Sequence, residues 1–292
     1  MNNYQTGILA DLPLFACYLH FGLQEGCSNE QALEVLSSLY VNETIVIGVG
    51  PALLGEKAES LGLKPFTTLT GVRGVEAPET QDELWVWVRG ADREEVETRS
   101  KTVTGELSEA FVLLNATDAF LYKGGRDLSG YEDGTENPIG EEAVEAAIVA
   151  EGSANQRGGS LVAVQKWIHD LEYFNSLPVP ERDDVIGRRL EDNYEFPESP
   201  ISSHVKRTGQ NSFEKPAFVV RRSMPFMDDD GKGLMFVAYG ASLWPFEVQM
   251  KRMLGLDDGI VDGLFRFSRP ITGAYYWCPP VTSEGRLNLK AA

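Results

Sequence analysis

Only three histidines occur in this 292-residue chain, His20, His169 and His204, so any imidazole chemistry has few places to reside. His20 sits in an apolar run and reads as a core or surface residue. His169 ends the stretch QKWIHD, where it could brace a turn, and Asp170 is the one acidic neighbour in view. His204 lies in SSHVKRTG, a polar, basic, loop-like stretch of a strongly acidic protein. An imidazole in that setting could ligate iron, and Lys206 and Arg207 could pair with the carboxylates of an anionic cofactor such as haem.

Two further segments carry reactive groups. GYEDGTENP, residues 130–138, places an acidic pair between glycines and reads as a tight turn. Glu132, Asp133, Glu136 and Asn137 also offer oxygen ligands for calcium, although the register of an EF-hand loop is missing. Arg221 and Arg222 end an extended segment. An arginine there is ordinarily on the surface, but inside a pocket its permanent charge would stabilise negative charge on a departing oxygen.

The composition sets the limits within which these groups act. Hydrophobic residues make up 42% and charged residues 24%, which is globular usage. A formal net charge of −18 argues against a nucleic-acid partner, because phosphate-backbone binding needs concentrated positive charge. Cys17, Cys27 and Cys278 show no CxxC spacing, so reduced structural thiols are expected rather than a disulfide framework or thiolate metal site. No stretch reaches the roughly 18 apolar residues of a membrane span, and the N-terminus lacks a basic, apolar leader, so a cytoplasmic location is expected.

The elements that must position the candidates follow from periodicity. A strand over 13–23 precedes a helix opened by Ser28, with Gln31 at the capping-box position and Ala32, Val35, Leu36, Leu39 and Tyr40 at helical spacing. Strands are expected at 44–50 and 84–90, a short helix near 51–61, a charged helix over 91–107, and a closing strand at 119–124. That order is β-α-β-β-α-β, the ferredoxin-like arrangement. It recurs with strands at 160–168, 217–223, 233–240 and 274–279 and helices at 180–188 and 243–254. The Gly- and Glu-rich stretch 140–158 is expected to join the halves, with EEAVEAA and MDDDGKG as solvated surface. The fold class is therefore α+β, with two ferredoxin-like halves, 1–145 and 146–292, antiparallel sheets and peripheral helices.

GYEDGTENP matches the GxxDG signature of the dye-decolourising peroxidases. QKWIHDLEYFNSLP, DDVIGR, SSHVKRTG, VVRRSMPF, GLMFVAY and FSRPITGAYYW resemble successive blocks of the bacterial B-type members, so the likeness spans nearly the whole chain. The resemblance implies a dimeric α/β-barrel-like fold holding one haem b, and a peroxidase that reduces hydrogen peroxide and oxidises dyes, phenolics or other small one-electron donors. It makes His204 the iron ligand, Asp133 the distal acid and Arg221 the distal arginine. Strand alternation turns Arg222 to the opposite face. By the same resemblance Ser223 assists catalysis, Asp262 accepts the second ring hydrogen of His204, and Gly134, Thr135, Glu136, Lys206, Arg207 and Phe236 contact the cofactor. Asp257 and Asp258 are near alternatives to Asp262. Self-association is also implied. Tyr275, Tyr276 and Trp277 could carry electrons at the surface, though in a terminal strand such aromatics are more often core. Two other readings stay open, a haem-handling protein with incidental peroxidase activity and a haem-free small-molecule binder.

Overall fold

In the computed structural model, which describes residues 3–153 and 156–289, the main elements in chain order are β1 (Phe15–Leu23), α1 (Asn29–Ser38), β2 (Ile45–Val49), β3 (Leu84–Gly90), α2 (Arg93–Leu107), β4 (Phe111–Phe120), α3 (Gly140–Ala147), β5 (Ser160–His169), α4 (Val179–Ile186), α5 (His204–Thr208), β6 (Met224–Asp228), β7 (Gly231–Gly240), α6 (Trp244–Met253) and β8 (Ala274–Cys278). Their starts have local causes. Ser28 caps α1 as a capping box, its hydroxyl accepting from the Gln31 amide while the Gln31 side chain accepts from the Ser28 amide. Asp92 caps α2 by accepting from the Glu95 amide.

The strands form one antiparallel sheet that closes on itself. Around the ring the order is β2, β3, β1, β4, β6, β7, β5, β8, and β8 returns to β2. Within each half the pattern is the ferredoxin-like one, β2-β3-β1-β4 and β8-β5-β7-β6, so the mixed α+β class with paired ferredoxin-like units holds. The halves are stitched at two seams, where Ala119 of β4 faces Phe226 of β6 and Trp277 of β8 faces Val49 of β2.

Alternation along each strand divides the apolar residues into an inner and an outer set. Trp85 and Trp87 of β3 pack in one cluster with Tyr18, Tyr239 and Tyr276, while Leu84, Val86 and Val88 join the cluster beneath the helices. The five aromatic rings of the inner set are fully buried. Each removes roughly 150–250 Å² from water, a gross contribution on the order of 4–6 kcal/mol at about 25 cal/mol per Å². The barrel lumen is therefore a packed core, and any ligand must bind outside it. Among the described residues no helix is long and apolar enough to cross a membrane.

Four expectations change. The strand expected at 119–124 runs instead from Phe111 to Phe120; Val112, Leu113 and Leu114 are exposed, so its first part lacks the alternation that marks a half-buried strand. The strand expected at 217–223 shrinks to a two-residue pairing at Val220–Arg221, followed by β6. Two of its backbone amides are taken by side chains, Val219 by Gln210 and Arg221 by Asn137, while the Arg222 amide reaches the Val237 carbonyl of β7. His204 opens a short helix rather than lying in a loop. EEAVEAA is part of α3, with Ala143 and Ala147 buried.

Candidate active site

The outer face of β5 presents Gln165, Trp167 and His169 at every second position, and β7 beside it presents Leu234 and Phe236. These five side chains form one wall of a concave, largely apolar cavity. Phe246, Met250 and Met253 of α6 and Leu264 and Phe267 beyond it add further apolar lining. Polar groups converge on this shell from three directions: His204 at the start of α5, Arg221 from the short β pairing, and Asp127, Tyr131 and Asp133 from the loop after β4.

His204 is oriented by Asp262. The imidazole Nδ1 lies 2.8 Å from Asp262 Oδ2, and the other oxygen of that carboxylate accepts from the Leu264 amide at 2.8 Å. Asp262 is buried and both its oxygens are engaged, so it holds the ring in one orientation. Among the described residues no hydrogen bond is made to His204 Nε2. An imidazole whose Nδ1 hydrogen is held by a carboxylate while Nε2 stands free on an apolar cavity is the arrangement of a metal ligand with its supporting partner. Asp257 and Asp258, the alternatives to Asp262, pair with Arg252 and Arg207.

Asp133 and Arg221 meet on the same cavity, with a guanidinium nitrogen 3.7 Å from Asp133 Oδ1. The Gly134 amide donates to that oxygen at 2.8 Å. Gly134 has φ +74°, and a Cβ there would come 2.9 Å from the Asn137 Nδ2, so the turn favours glycine twice over. Asn137 joins the two partners: its Oδ1 accepts from the Arg221 amide at 2.8 Å and its Nδ2 donates to the Arg221 carbonyl at 2.9 Å. Gln210 does similar work, donating to the Glu136 carbonyl and accepting from the Val219 amide.

The other side chains singled out from the sequence divide. Phe236 lines the cavity, and Thr135 and Glu136 line an adjoining polar recess shared with Asp133, His204 and Arg221. Ser223 lies off the cavity, buried, with its hydroxyl 3.4 Å from the Val237 amide. Arg207 is also buried away from it, with its two terminal guanidinium nitrogens on Asp258 at 2.7 Å. Lys206 donates to the Pro197 carbonyl. Arg222 is turned from the cavity toward the Leu9 carbonyl. Tyr275, Tyr276 and Trp277 are core rather than surface. His20 pairs with Asp82 at 2.9 Å, outside the site.

Sequence reasoning understated His169. It lines the cavity, with Nε2 3.0 Å from Asp127 Oδ1 and Nδ1 2.7 Å from the Ser268 hydroxyl. Burial acts to raise the Asp127 carboxyl, yet the charge and hydrogen bond of His169, helped by Ser129, outweigh it and hold the group below its ordinary value. Tyr131, within GYEDGTENP, donates its phenolic hydrogen to Asp183 at 2.6 Å. Burial first, then the carboxylate, raise this phenol well above its ordinary value. Gln165 Nε2, on the cavity wall, has no partner among the described residues, as expected where a polar ligand atom belongs.

The family model described as "Dyp-type peroxidase, C-terminal" matches residues 124–283, which span every polar residue lining the cavity. This chain belongs to the Dyp-type peroxidase family. It is 32% identical over 294 residues to the dye-decolorizing peroxidase of Rhodococcus erythropolis (strain PR4 / NBRC 100887), covering 93% of this chain and 85% of that one. Its structure is similar to a dye-decolorizing protein from V. cholerae, with a TM-score of 0.84, 29% identity and coverage of 96% of this chain and 97% of that chain. It is also similar to a Rhodococcus jostii RHA1 DypB variant in complex with heme, with a TM-score of 0.83, 25% identity and coverage of 93% and 94%. The protein is thus an oxidoreductase of the peroxidase class.

Proposed function

We propose that the cavity holds haem b and that the protein reduces hydrogen peroxide while oxidising dyes, phenolics or other small one-electron donors. The observation that carries this reading is the His204–Asp262 pair at an apolar cavity that also receives Asp133 and Arg221. The fit to haem rests on the chain's own residues: a free imidazole Nε2 to take iron, a carboxylate behind it, apolar walls for a porphyrin, and the unpartnered Gln165 amide nitrogen. A heme complex among the structural relatives supports it. When bound, haem supplies the redox centre at which peroxide is reduced and from which donors are oxidised one electron at a time.

His204 Nε2 would ligate the iron, and Asp262 would keep the hydrogen on Nδ1 and strengthen the imidazole as a donor. Asp133 Oδ1 is occupied by the Gly134 amide, so Oδ2 is assigned the peroxide proton. The Arg221 guanidinium stabilises negative charge on the departing oxygen. Asn137 and Gln210 hold the Asp133 loop and the Arg221 backbone in fixed register, so the acid and the cation act as a unit. The unit of organisation proposed for this chemistry is two halves, 1–145 and 146–292; the dividing point falls within α3.

Stopped-flow mixing of the haem-loaded protein with hydrogen peroxide tests the two roles. Asp133→Ala should slow the reaction by about 10²–10⁴-fold and Arg221→Leu by about 10²–10³-fold, with haem retained in both. Wild-type rates in both variants would overturn the assignment.

A further inference from the structure

Tyr131 is the tyrosine that lines the cavity and also has a built proton acceptor. It lies in the same loop as Asp133, and its ring is 4% exposed. Its phenol donates at 2.6 Å to Asp183 Oδ1, a buried carboxylate oxygen on α4 that also accepts from the Leu190 amide at 3.0 Å. That oxygen is in direct hydrogen-bond contact with the phenol, so the phenolic proton has a carboxylate acceptor already in place. The buried tyrosines of the barrel lumen differ. The hydroxyls of Tyr18 and Tyr239 have no partner among the described residues, and Tyr276 has no carboxylate acceptor bonded to it. Tyr275 packs against Phe246 and has Glu247 as a carboxylate partner, but it does not line the cavity. Around Tyr131 the neighbours are apolar: Phe174 lies edge-on at 6.1 Å, and Phe267 stacks on Phe174 at 3.9 Å.

A phenol that loses an electron becomes a strong acid. In a buried site with no base it would be left as an uncompensated cation at high cost. Next to a hydrogen-bonded carboxylate the proton can leave as the electron does. We propose that Tyr131 is a redox-active tyrosine, which gives one electron to the peroxide-oxidised site while its phenolic proton passes to Asp183 Oδ1. The O–H bond of Tyr131 breaks, an O–H bond forms on Asp183, and the oxidised site gains one electron. A neutral phenoxyl radical and a neutral carboxylic acid remain, with no charge left stranded in the core. A one-electron donor then returns an electron to the ring, and Asp183 returns the proton. The apolar surroundings keep water and chance reductants from the radical. Since the phenol is raised by burial and by Asp183, it holds its proton until it is oxidised. Tyr131 thereby stores one oxidising equivalent within the protein, one residue removed from Glu132 and two from Asp133.

The proposal rests on the peroxidase reading above, and one experiment separates the two. Haem-loaded protein is mixed with one equivalent of hydrogen peroxide without a donor and divided between absorption and rapid-freeze electron paramagnetic resonance. The samples are the wild type, protein grown with ring-deuterated tyrosine, Tyr131→Phe, Asp183→Asn and Tyr275→Phe. The expected result is an organic radical whose hyperfine splitting collapses on ring deuteration, which is lost in Tyr131→Phe, diminished in Asp183→Asn and unchanged in Tyr275→Phe. A peroxide-induced absorption change with the radical intact in Tyr131→Phe, absent from the wild type, or lost in Tyr275→Phe overturns the Tyr131 proposal alone. An absorption spectrum that does not respond to peroxide in any sample overturns the peroxidase reading and the proposal with it.

Discussion

Replacing Asp262 by asparagine probes how the chain would hold iron. The Asp262 carboxylate accepts twice, from His204 Nδ1 at 2.8 Å and from the Leu264 amide at 2.8 Å. An asparagine of the same shape has one acceptor oxygen and one donor nitrogen, so it can serve one of these partners and must face the other with an N–H group. If the oxygen stays on the Leu264 amide, the side-chain NH₂ is turned toward His204 Nδ1. The ring then relieves the clash by carrying its hydrogen on Nε2, the atom needed for the metal. If the amide flips, the Leu264 N–H loses its partner in a buried site, at a cost of about 1–3 kcal/mol. Supporting carboxylates of this kind are worth about 10–100-fold in metal affinity or activity, which is about 1.4–2.8 kcal/mol. Asp262→Asn should therefore weaken haem binding by about 10–100-fold in titrations of the haem-free protein followed by absorption. Asp262→Ala should do so at least as strongly. Affinity within about twofold of wild type for both variants would refute the argument that Asp262 orients the ligand.

Two further outcomes follow from the geometry. Asn137→Ala removes both hydrogen bonds to the Arg221 backbone, so it should slow the peroxide reaction by about tenfold, for a loss of about 1–2 kcal/mol of positioning, while haem affinity stays unchanged; equal losses in haem affinity and rate would assign Asn137 a merely structural role. The Asp127–His169 contact gives a pH signature in folding. Because the folded Asp127 carboxyl lies below its unfolded value of about 3.9, the stabilisation is present above that pH and is lost as pH falls through the lower folded value. Chemical denaturation between about pH 2 and 6 should show a shallower acid loss in Asp127→Asn than in the wild type; identical slopes would contradict it.

Much of the fold can be read from the chain because its strands declare themselves. IVIGV and LWVWVRG are β-branched or aromatic runs that pack on both faces, and Ser28 with Gln31 announces the first helix. β4 does not, because the outer side of its first half is open and Val112, Leu113 and Leu114 break the alternation. The segment before β6 is shortened for another reason: Val219 and Arg221 donate to the side chains of Gln210 and Asn137, which leaves a two-residue pairing with β7. The site was legible where chemistry is local and opaque where it depends on distant partners. Asp133, Arg221 and His204 stand in recognisable motifs. The acid that completes His169 is Asp127, 42 residues away, and the base that completes Tyr131 is Asp183, 52 residues away. Nothing in SSHVKRTG reveals that Arg207 is committed to Asp258, 51 residues on.

We propose that His204 holds a haem iron in this cavity and that the bound group reacts with peroxide. The most direct test is the absorption spectrum of protein purified with haem supplied, for wild type and His204→Ala, before and after one equivalent of hydrogen peroxide. The wild type should show a Soret band that shifts on addition of peroxide, and His204→Ala should lose or displace it. An unaltered band and an unaltered response to peroxide in His204→Ala would contradict it.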